Sequence, residues 1–570
     1  MQDWRNVRNG VPIPVENYCD QPYVLKMPDG AWLMVVTTGA GKEGEKGQHV
    51  ISARSFDCGK TWVDQADVET AQRPESSYAV LYQTKYGRVY CFYNYNADNR
   101  RYVLSDPGLY EDGKCSRVDS QGKFVFKYSD DYGKSWSDEW YEIPQRKFQV
   151  DLENPYQGQV LYFWNVGKPF SYQEGVFVPL YKIGGLNAQF MYKTEGVLLY
   201  CDNIHTQKDP ALLHWSTYPD GEVGIRVPRT LSMVSEEHSF VTLSDGSIFC
   251  VFRTTAGHAY CTYSRDGGHS FEQPECMAYA EGRKMKHPRA ANFIWKCENG
   301  KYLYWYHNHG GRSYDDRNPV WLCGAVEYRA PDGQRLKFSQ PEILLYDEDP
   351  LIRMSYPDLI EQDGAYYFTE TQKSVARLHQ ADCALVDGLW AQLENGVTAP
   401  RGSLLKDGGE MIEFASFICQ DTARADGGAA DVCGGFTLAF EGLLPDDECC
   451  ELFSTMTYDG KGVCAKWDGC RLVFCMGDGR RTAAFAVERK PFSGGGRHRV
   501  VIVADAGPRI VRFIVDGKLC DGGEERQFGF GWFDRAMLHA NGEKRIRIAP
   551  CVSKLEGYCV PLTTSQAVNW

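Results

Sequence analysis

Chemistry in this chain has to come from a few polar residues that interrupt strand-like text. Glu236, Glu237 and His238 stand directly before the run Ser239-Phe240-Val241-Thr242-Leu243. Arg253 ends the next run, Ile248-Phe249-Cys250-Val251-Phe252, where an arginine needs a partner to offset its desolvation. Tyr356 and Asp358 sit at i, i+2, which places them on one face of a regular strand. Glu370 ends the hairpin that follows, and Asp20 precedes a similar segment near the N-terminus. Paired carboxyl groups can move protons, a phenol beside a base can be a nucleophile, and arginines can hold anions. Six of the 12 histidines fall between positions 238 and 309, namely His238, His258, His269, His287, His307 and His309. His307 and His309, again at i, i+2, would suit a metal ion or a hydroxyl group. A hydrogen-bonded wall position is the commoner fate of any single histidine. Tyr356, one of 34 tyrosines, also fits ordinary aromatic packing.

The elements that position these residues are strands. Short alternating runs such as Ala31-Trp32-Leu33-Met34-Val35-Val36 recur between Asp-Gly, Asn-Gly and Gly-Gly turns, and no long stretch keeps a helical period. Three segments, beginning at Ser55, Ser129 and Ser264, read Ser-x-Asp-x-Gly-x-Ser/Thr-aromatic. The second interval is about twice the first, which gives a period of about 67 residues with one worn copy. About six such units over residues 1–400 make a six-bladed β-propeller. A propeller turns the first residues of each inner strand into a central funnel, so a site there draws one or two residues from each blade. After the linker Ala399-Pro400-Arg401-Gly402-Ser403 the text changes. With His498-Arg499-Val500 and Phe513-Ile514-Val515-Asp516-Gly517, residues 408–570 resemble a β-sandwich jelly roll, in which a His-x-Val strand precedes a Phe-x-Val-Asp-Gly hairpin. The fold class is all-β.

Composition narrows the partners. The 570 residues carry 62 basic and 75 acidic groups, a net charge of -13, which argues against nucleic acid and against anionic membrane surfaces. No run approaches the ~20 apolar residues of a membrane span. The first residues lack an apolar signal core, so the chain as written is expected in the cytosol, and a secreted location would require a leader since removed. The 21 cysteines form no Cys-x-x-Cys pair and read as reduced thiols. Neither metal nor cofactor is expected.

The three Ser-x-Asp-x-Gly turns resemble the Asp-box of the sialidase superfamily. In that resemblance the segment Glu236–Arg253 is similar to the blade in which a glutamate opens one strand and an arginine ends the next. Glu237 takes the glutamate's place, and Arg253 that of one member of the substrate-binding arginine triad. Met354–Glu370 resembles the stretch that holds the tyrosine nucleophile and its glutamate partner, which implies those roles for Tyr356 and Glu370. Asp358 is an additional acid, base or ligand for a sugar hydroxyl. Arg289 becomes a second anion-binding arginine, and His238, His287 and His307 become funnel-lining residues. The N-terminal text departs from the family. Asp20 stands where an Arg-Ile-Pro arginine is expected, and Gln48-His49 stands where an acid-bearing Gly-Asp is expected. His49 would then replace the acid, and Asp20 would face the substrate. Residues 408–570 resemble concanavalin A-like (laminin-G-like) domains. The resemblance implies an exo-glycoside hydrolase that removes a terminal sugar, sialic acid or another acidic or hydroxyl-rich one, from a glycan or oligosaccharide. A polysaccharide lyase or atypical glycosidase on the same platform, and a glycan-binding protein without catalysis, are the alternatives.

Overall fold

The computed structural model describes residues 3–570, apart from 107–110, 189, 312–314, 395, 401, 408–409, 412–433, 446–447, 493–495, 535–536, 538–541, 544 and 559. The expected start of the sandwich at 408 therefore lies outside the described residues. Six antiparallel sheets of four or five strands form the propeller. Their inner strands are Tyr18–Lys26, Ser76–Gln83, Phe163–Trp164, Glu236–Thr242, Phe293–Lys296 and Ser355–Gln362, for blades 1 to 6. The strand Val11–Ile13 completes blade 6 by pairing with Ala376–Ala381, so the ring is closed by segments from the two ends of the repeat region.

Four inner strands share one irregularity. Register shifts fall between Asp20 and Tyr23, Ser77 and Val80, Glu236 and Ser239, and Ser355 and Asp358. Each contains a residue of positive φ, respectively Gln21 (53°), Tyr78 (59°), Glu237 (55°) and Tyr356 (48°). A bulge inserts one unpaired residue and re-aims the side chains around it. A non-glycine residue in that conformation is costly and persists only where its surroundings hold it. The propeller thus presents re-aimed side chains at one end of the funnel from four separate blades.

The three repeated turns share one hydrogen-bond set at the third-to-fourth strand connections of blades 1, 2 and 4. In the second, Ser129 Oγ donates to Asp131 Oδ1 (2.7 Å), and Asp131 accepts from Ser135 N (2.9 Å) and Ser135 Oγ (2.6 Å). Gly133 N donates to Ser129 Oγ (2.7 Å). The same contacts recur around Asp57 and Asp266. The turns sit at seams. Gly133 (φ 85°) leaves no room for a Cβ, which would lie 2.3 Å from Leu33 of blade 1. Trp136 Nε1 from the same turn donates to Ser52 Oγ of blade 1 at 2.9 Å. Gly133→Ala should therefore cost roughly 2–4 kcal/mol, from left-handed backbone strain and overpacking. A chemical-denaturation midpoint equal to wild type would show that this turn does not brace the seam.

The C-terminal unit packs an eight-stranded sheet on a five-stranded one. Phe440 against Phe453 (5.7 Å) and Phe436 against Phe474 (6.4 Å) join the two sheets across the core. It is fused to the propeller by a shared apolar layer in which Tyr304, Trp321 and Phe338 of blade 5 meet Val501, Ile514 and Leu519. Ion pairs flank that layer, Arg5 to Asp505 (2.8 Å) and Arg283 to Asp521 (2.6 Å). No helix among the described residues is long and apolar enough to cross a membrane.

Candidate active site

The bulges in blades 4 and 6 bring Glu237 and Tyr356 together. The Tyr356 hydroxyl donates to Glu237 Oε1 at 2.8 Å, and the tyrosine is only 4% exposed. Arg253, at the end of the second strand of blade 4, binds Glu237 Oε2 through Nη1 (2.8 Å) and Glu236 Oε2 through Nη2 (2.8 Å) and Nε (2.9 Å). Burial, then the Glu237 carboxylate, push the Tyr356 phenol up to about 12, while Lys373, Arg317 and Arg253 pull it back. Arg317 reaches this ring from blade 5. Its guanidinium carbon lies 5.8 Å from the ring centroid and its Nη1 donates to Ser355 Oγ. Lys373 approaches from blade 6, with Nζ 4.6 Å from the same centroid. Three cations therefore surround the phenol.

A second cluster, from blades 1 and 2, adjoins this group through Lys373. Lys373 Nζ donates to Asp20 Oδ2 (2.5 Å) and Glu43 Oε1 (2.9 Å). The Tyr18 hydroxyl lies 3.0 Å from Asp20 Oδ2 and 3.2 Å from Glu43 Oε1. Arg117 binds Glu43 (3.2 Å) and Asp119 (2.8 Å), and the Tyr78 hydroxyl donates to Asp119. Burial raises Asp20 to about 6 against the pull of Lys373. Glu43 is also penalised by burial, but Arg117 and Lys373 outweigh this and bring it down to about 2. The buried rings of Tyr78 and Trp164, with centroids 4.2 Å apart, pack beside Arg117, whose guanidinium carbon lies 5.2 Å from the Trp164 ring.

Several expected positions need correcting. Glu370 does not meet Tyr356. It is fully buried, with Gln372 (3.2 Å) and His379 (3.4 Å) as its partners, because the bulge turns the phenol toward blade 4 instead. Asp358 does not share a face with Tyr356, because the same bulge breaks the alternation. It accepts from Val24 N (2.8 Å) and pairs with Lys168 (2.7 Å), tying blade 6 to blade 1. Burial raises its pKa, and Lys168 opposes that rise. His49 begins the third strand of blade 1, with Nδ1 2.8 Å from the Gly47 carbonyl. The loop before it sends Glu43, not the histidine, to the Asp20 cluster.

His238 is buried against Phe252, with Nε2 3.1 Å from the Ile225 carbonyl, and burial pushes its pKa down to about 3. His287 is likewise depressed to about 3 by burial, with Nε2 2.9 Å from the Ala290 carbonyl. His307 is held well below the usual range by burial, with Nδ1 3.2 Å from the Pro319 carbonyl. These three are neutral wall residues. Arg289 engages Glu236 (2.7 Å) and the Met191 carbonyl (2.7 Å), which makes it a support for the Glu236–Arg253 pair. Among the described residues no group of three or more His, Cys, Asp or Glu could hold a metal ion.

Glu43, Lys373 and Arg317 are not singled out by the sequence, and Glu236, which is, takes a supporting place rather than a reacting one. The doublet Glu236-Glu237 is the available signal, since adjacent strand residues point to opposite faces and only a bulge lets both carboxylates reach the one Arg253.

No family model matches the chain, and no curated protein matches it. Solved structures do. A protein of unknown function from Dyadobacter fermentans is 15% identical with a TM-score of 0.44, covering 65% of this chain and 97% of that one. The intramolecular trans-sialidase of Ruminococcus gnavus, in complex with oseltamivir carboxylate, is 14% identical with a TM-score of 0.43, covering 66% and 96%. The sialidase of Trypanosoma rangeli, as a covalent intermediate with 2,3-difluorosialic acid, is 11% identical with a TM-score of 0.44, covering 100% and 97%.

Proposed function

We propose that the chain is a sialidase-like exo-glycoside hydrolase in which Tyr356 is the nucleophile. The observation that carries this reading is the buried 2.8 Å hydrogen bond from the Tyr356 hydroxyl to Glu237. As the phenol oxygen attacks the anomeric carbon, Glu237 takes its proton and the bond to the leaving oxygen breaks. The leaving oxygen receives a proton from the Asp20–Glu43 pair. Asp20 is the member of the pair that holds that proton, while Glu43 stays ionised between Arg117 and Lys373. Water then releases the sugar from Tyr356 by the reverse route. A phenol is the better nucleophile where the sugar carries its own carboxylate, because a carboxylate nucleophile would be repelled. The three cations around Tyr356 favour such an acidic sugar. The lyase alternative gains no support from the histidines, which are buried and held neutral.

The test is release of a fluorescent aglycone from a panel of synthetic α-sialosides, uronides and neutral hexosides. Release is expected from an acidic member, and silence across the panel would end the proposal. The pH dependence has a definite sign. An acid raised to about 6 is protonated below that value and spent above it, so kcat/KM should fall as pH rises through about 6. Asp20→Asn should remove that alkaline limb. A limb that survives the substitution would assign the acid elsewhere.

A further inference from the structure

The inner strand of blade 1 turns a carboxylate, Asp20, toward the reaction centre, and a cation has been brought to it from elsewhere. Lys373 lies in the connection between Ala365–Thr371 and Ala376–Ala381 of blade 6. Its backbone is in the left-handed region (φ 71°), a conformation held by hydrogen bonds on both sides. Lys373 N donates to Thr371 Oγ1 (2.9 Å), and its carbonyl accepts from Cys19 N of blade 1 (2.9 Å). A lysine in strained backbone, pinned at the seam that closes the ring, is placed rather than incidental. Its ammonium faces Asp20 and Tyr18 from the inner strand of blade 1, Glu43 from the following loop and Tyr356 from blade 6. Beyond Glu43 lie Arg117, Asp119 and Tyr78.

We propose that Lys373 is the positioning residue that couples the two halves of the site. Its single charge holds Asp20 and Glu43 together as one proton-donating pair and at the same time lies against the ring of the Tyr356 nucleophile. This inference rests on the hydrolase reading for its consequence in catalysis, but the charge coupling itself does not require a substrate. A neutral residue at 373 leaves the buried Asp20 and the half-buried Glu43 with less compensation. The proton on Asp20 is then held more tightly, and the phenolate form of Tyr356 is less favoured. The substitution therefore acts on both steps.

The experiment follows the infrared band of the buried protonated carboxyl against pH in the full chain. The band is assigned by its loss in Asp20→Asn. In Lys373→Met the band should persist to a pH at least one unit higher than in wild type, and Lys373→Arg should return it toward the wild-type position. Lys373→Gln, which keeps a donor for Asp20 without the charge, serves if the methionine variant does not fold. The alkaline limb of kcat/KM should move with the band, with kcat reduced at least tenfold and KM changed less. A band and a pH profile that both stay at the wild-type position in Lys373→Met or Lys373→Gln overturn the proposal. A band that moves in a protein that cleaves no glycoside sustains the coupling and ends the hydrolase reading. A hydrolase whose band does not move ends the coupling and leaves the hydrolase reading standing.

Discussion

Tyr356→Phe should lower kcat/KM on the preferred glycoside by at least about 10³-fold, or about 4 kcal/mol of transition-state stabilisation, while leaving the fold intact. The variant removes one oxygen from a buried ring whose packing and cation contacts remain. The Glu237 carboxylate that loses its donor keeps its 2.8 Å contact with Arg253, so no charge is stranded. Glu237→Gln should give a comparable loss, because the phenol then has no base to take its proton. The double variant should be little worse than either single one, since nucleophile and base act as a unit. A fluorinated glycosyl fluoride of the preferred sugar should add its glycosyl mass to the peptide that contains Tyr356 in the wild type. The Tyr356→Phe variant should show no adduct. A catalytically competent Tyr356→Phe, or a stable adduct on another residue, would remove Tyr356 from the reaction.

The parts of this molecule that were legible in the sequence are those set by local rules. Alternation and turn residues gave the strands, and the three repeated turns gave the propeller, because each is closed by hydrogen bonds within a few residues. The need of Arg253 for a partner was legible for the same reason, and the register of the blade 4 hairpin sets Glu236 directly opposite it. The pairing of Tyr356 was not. Strict alternation put Asp358 beside it and the family resemblance gave it Glu370 as a partner, yet a one-residue bulge turns the phenol toward blade 4 and Glu237. Glu43 and Lys373 come from connecting loops, whose side chains acquire a place only when the N-terminal strand closes the ring on blade 6. His238, His287 and His307 were read as funnel residues from their polarity. In the fold that polarity is spent on backbone carbonyls, of Ile225, Ala290 and Pro319.

The largest stability effect expected from one substitution is at Glu236, which touches no candidate reacting group. Its carboxylate is completely buried and is gripped by Arg253 (2.8 Å) and Arg289 (2.7 Å). Burial alone would raise its pKa, but Arg289 and Arg253 overcome this and hold it below the usual glutamate value. Glu236→Gln should therefore destabilise the protein by about 3–5 kcal/mol, the cost of breaking a buried pair from one side and leaving two guanidinium groups with less compensation. The sign of its pH dependence follows from the depressed pKa. The carboxylate's contribution is fully present above the unfolded value near 4.5 and is lost as pH falls through the folded one, so the gap between wild type and variant should be widest at neutral pH and close toward acid. Adding Arg289→Gln should recover part of the loss, because it removes the charge that Glu236→Gln leaves uncompensated. Denaturant titrations of the three proteins across pH measure this directly. A gap that stays constant down to acid pH would mean that the glutamate acts through its shape and hydrogen bonds, with its charge contributing nothing. The same variant should also lose activity beyond its loss of folded protein, because Arg253, released from Glu236, no longer holds Glu237 in line with the Tyr356 hydroxyl.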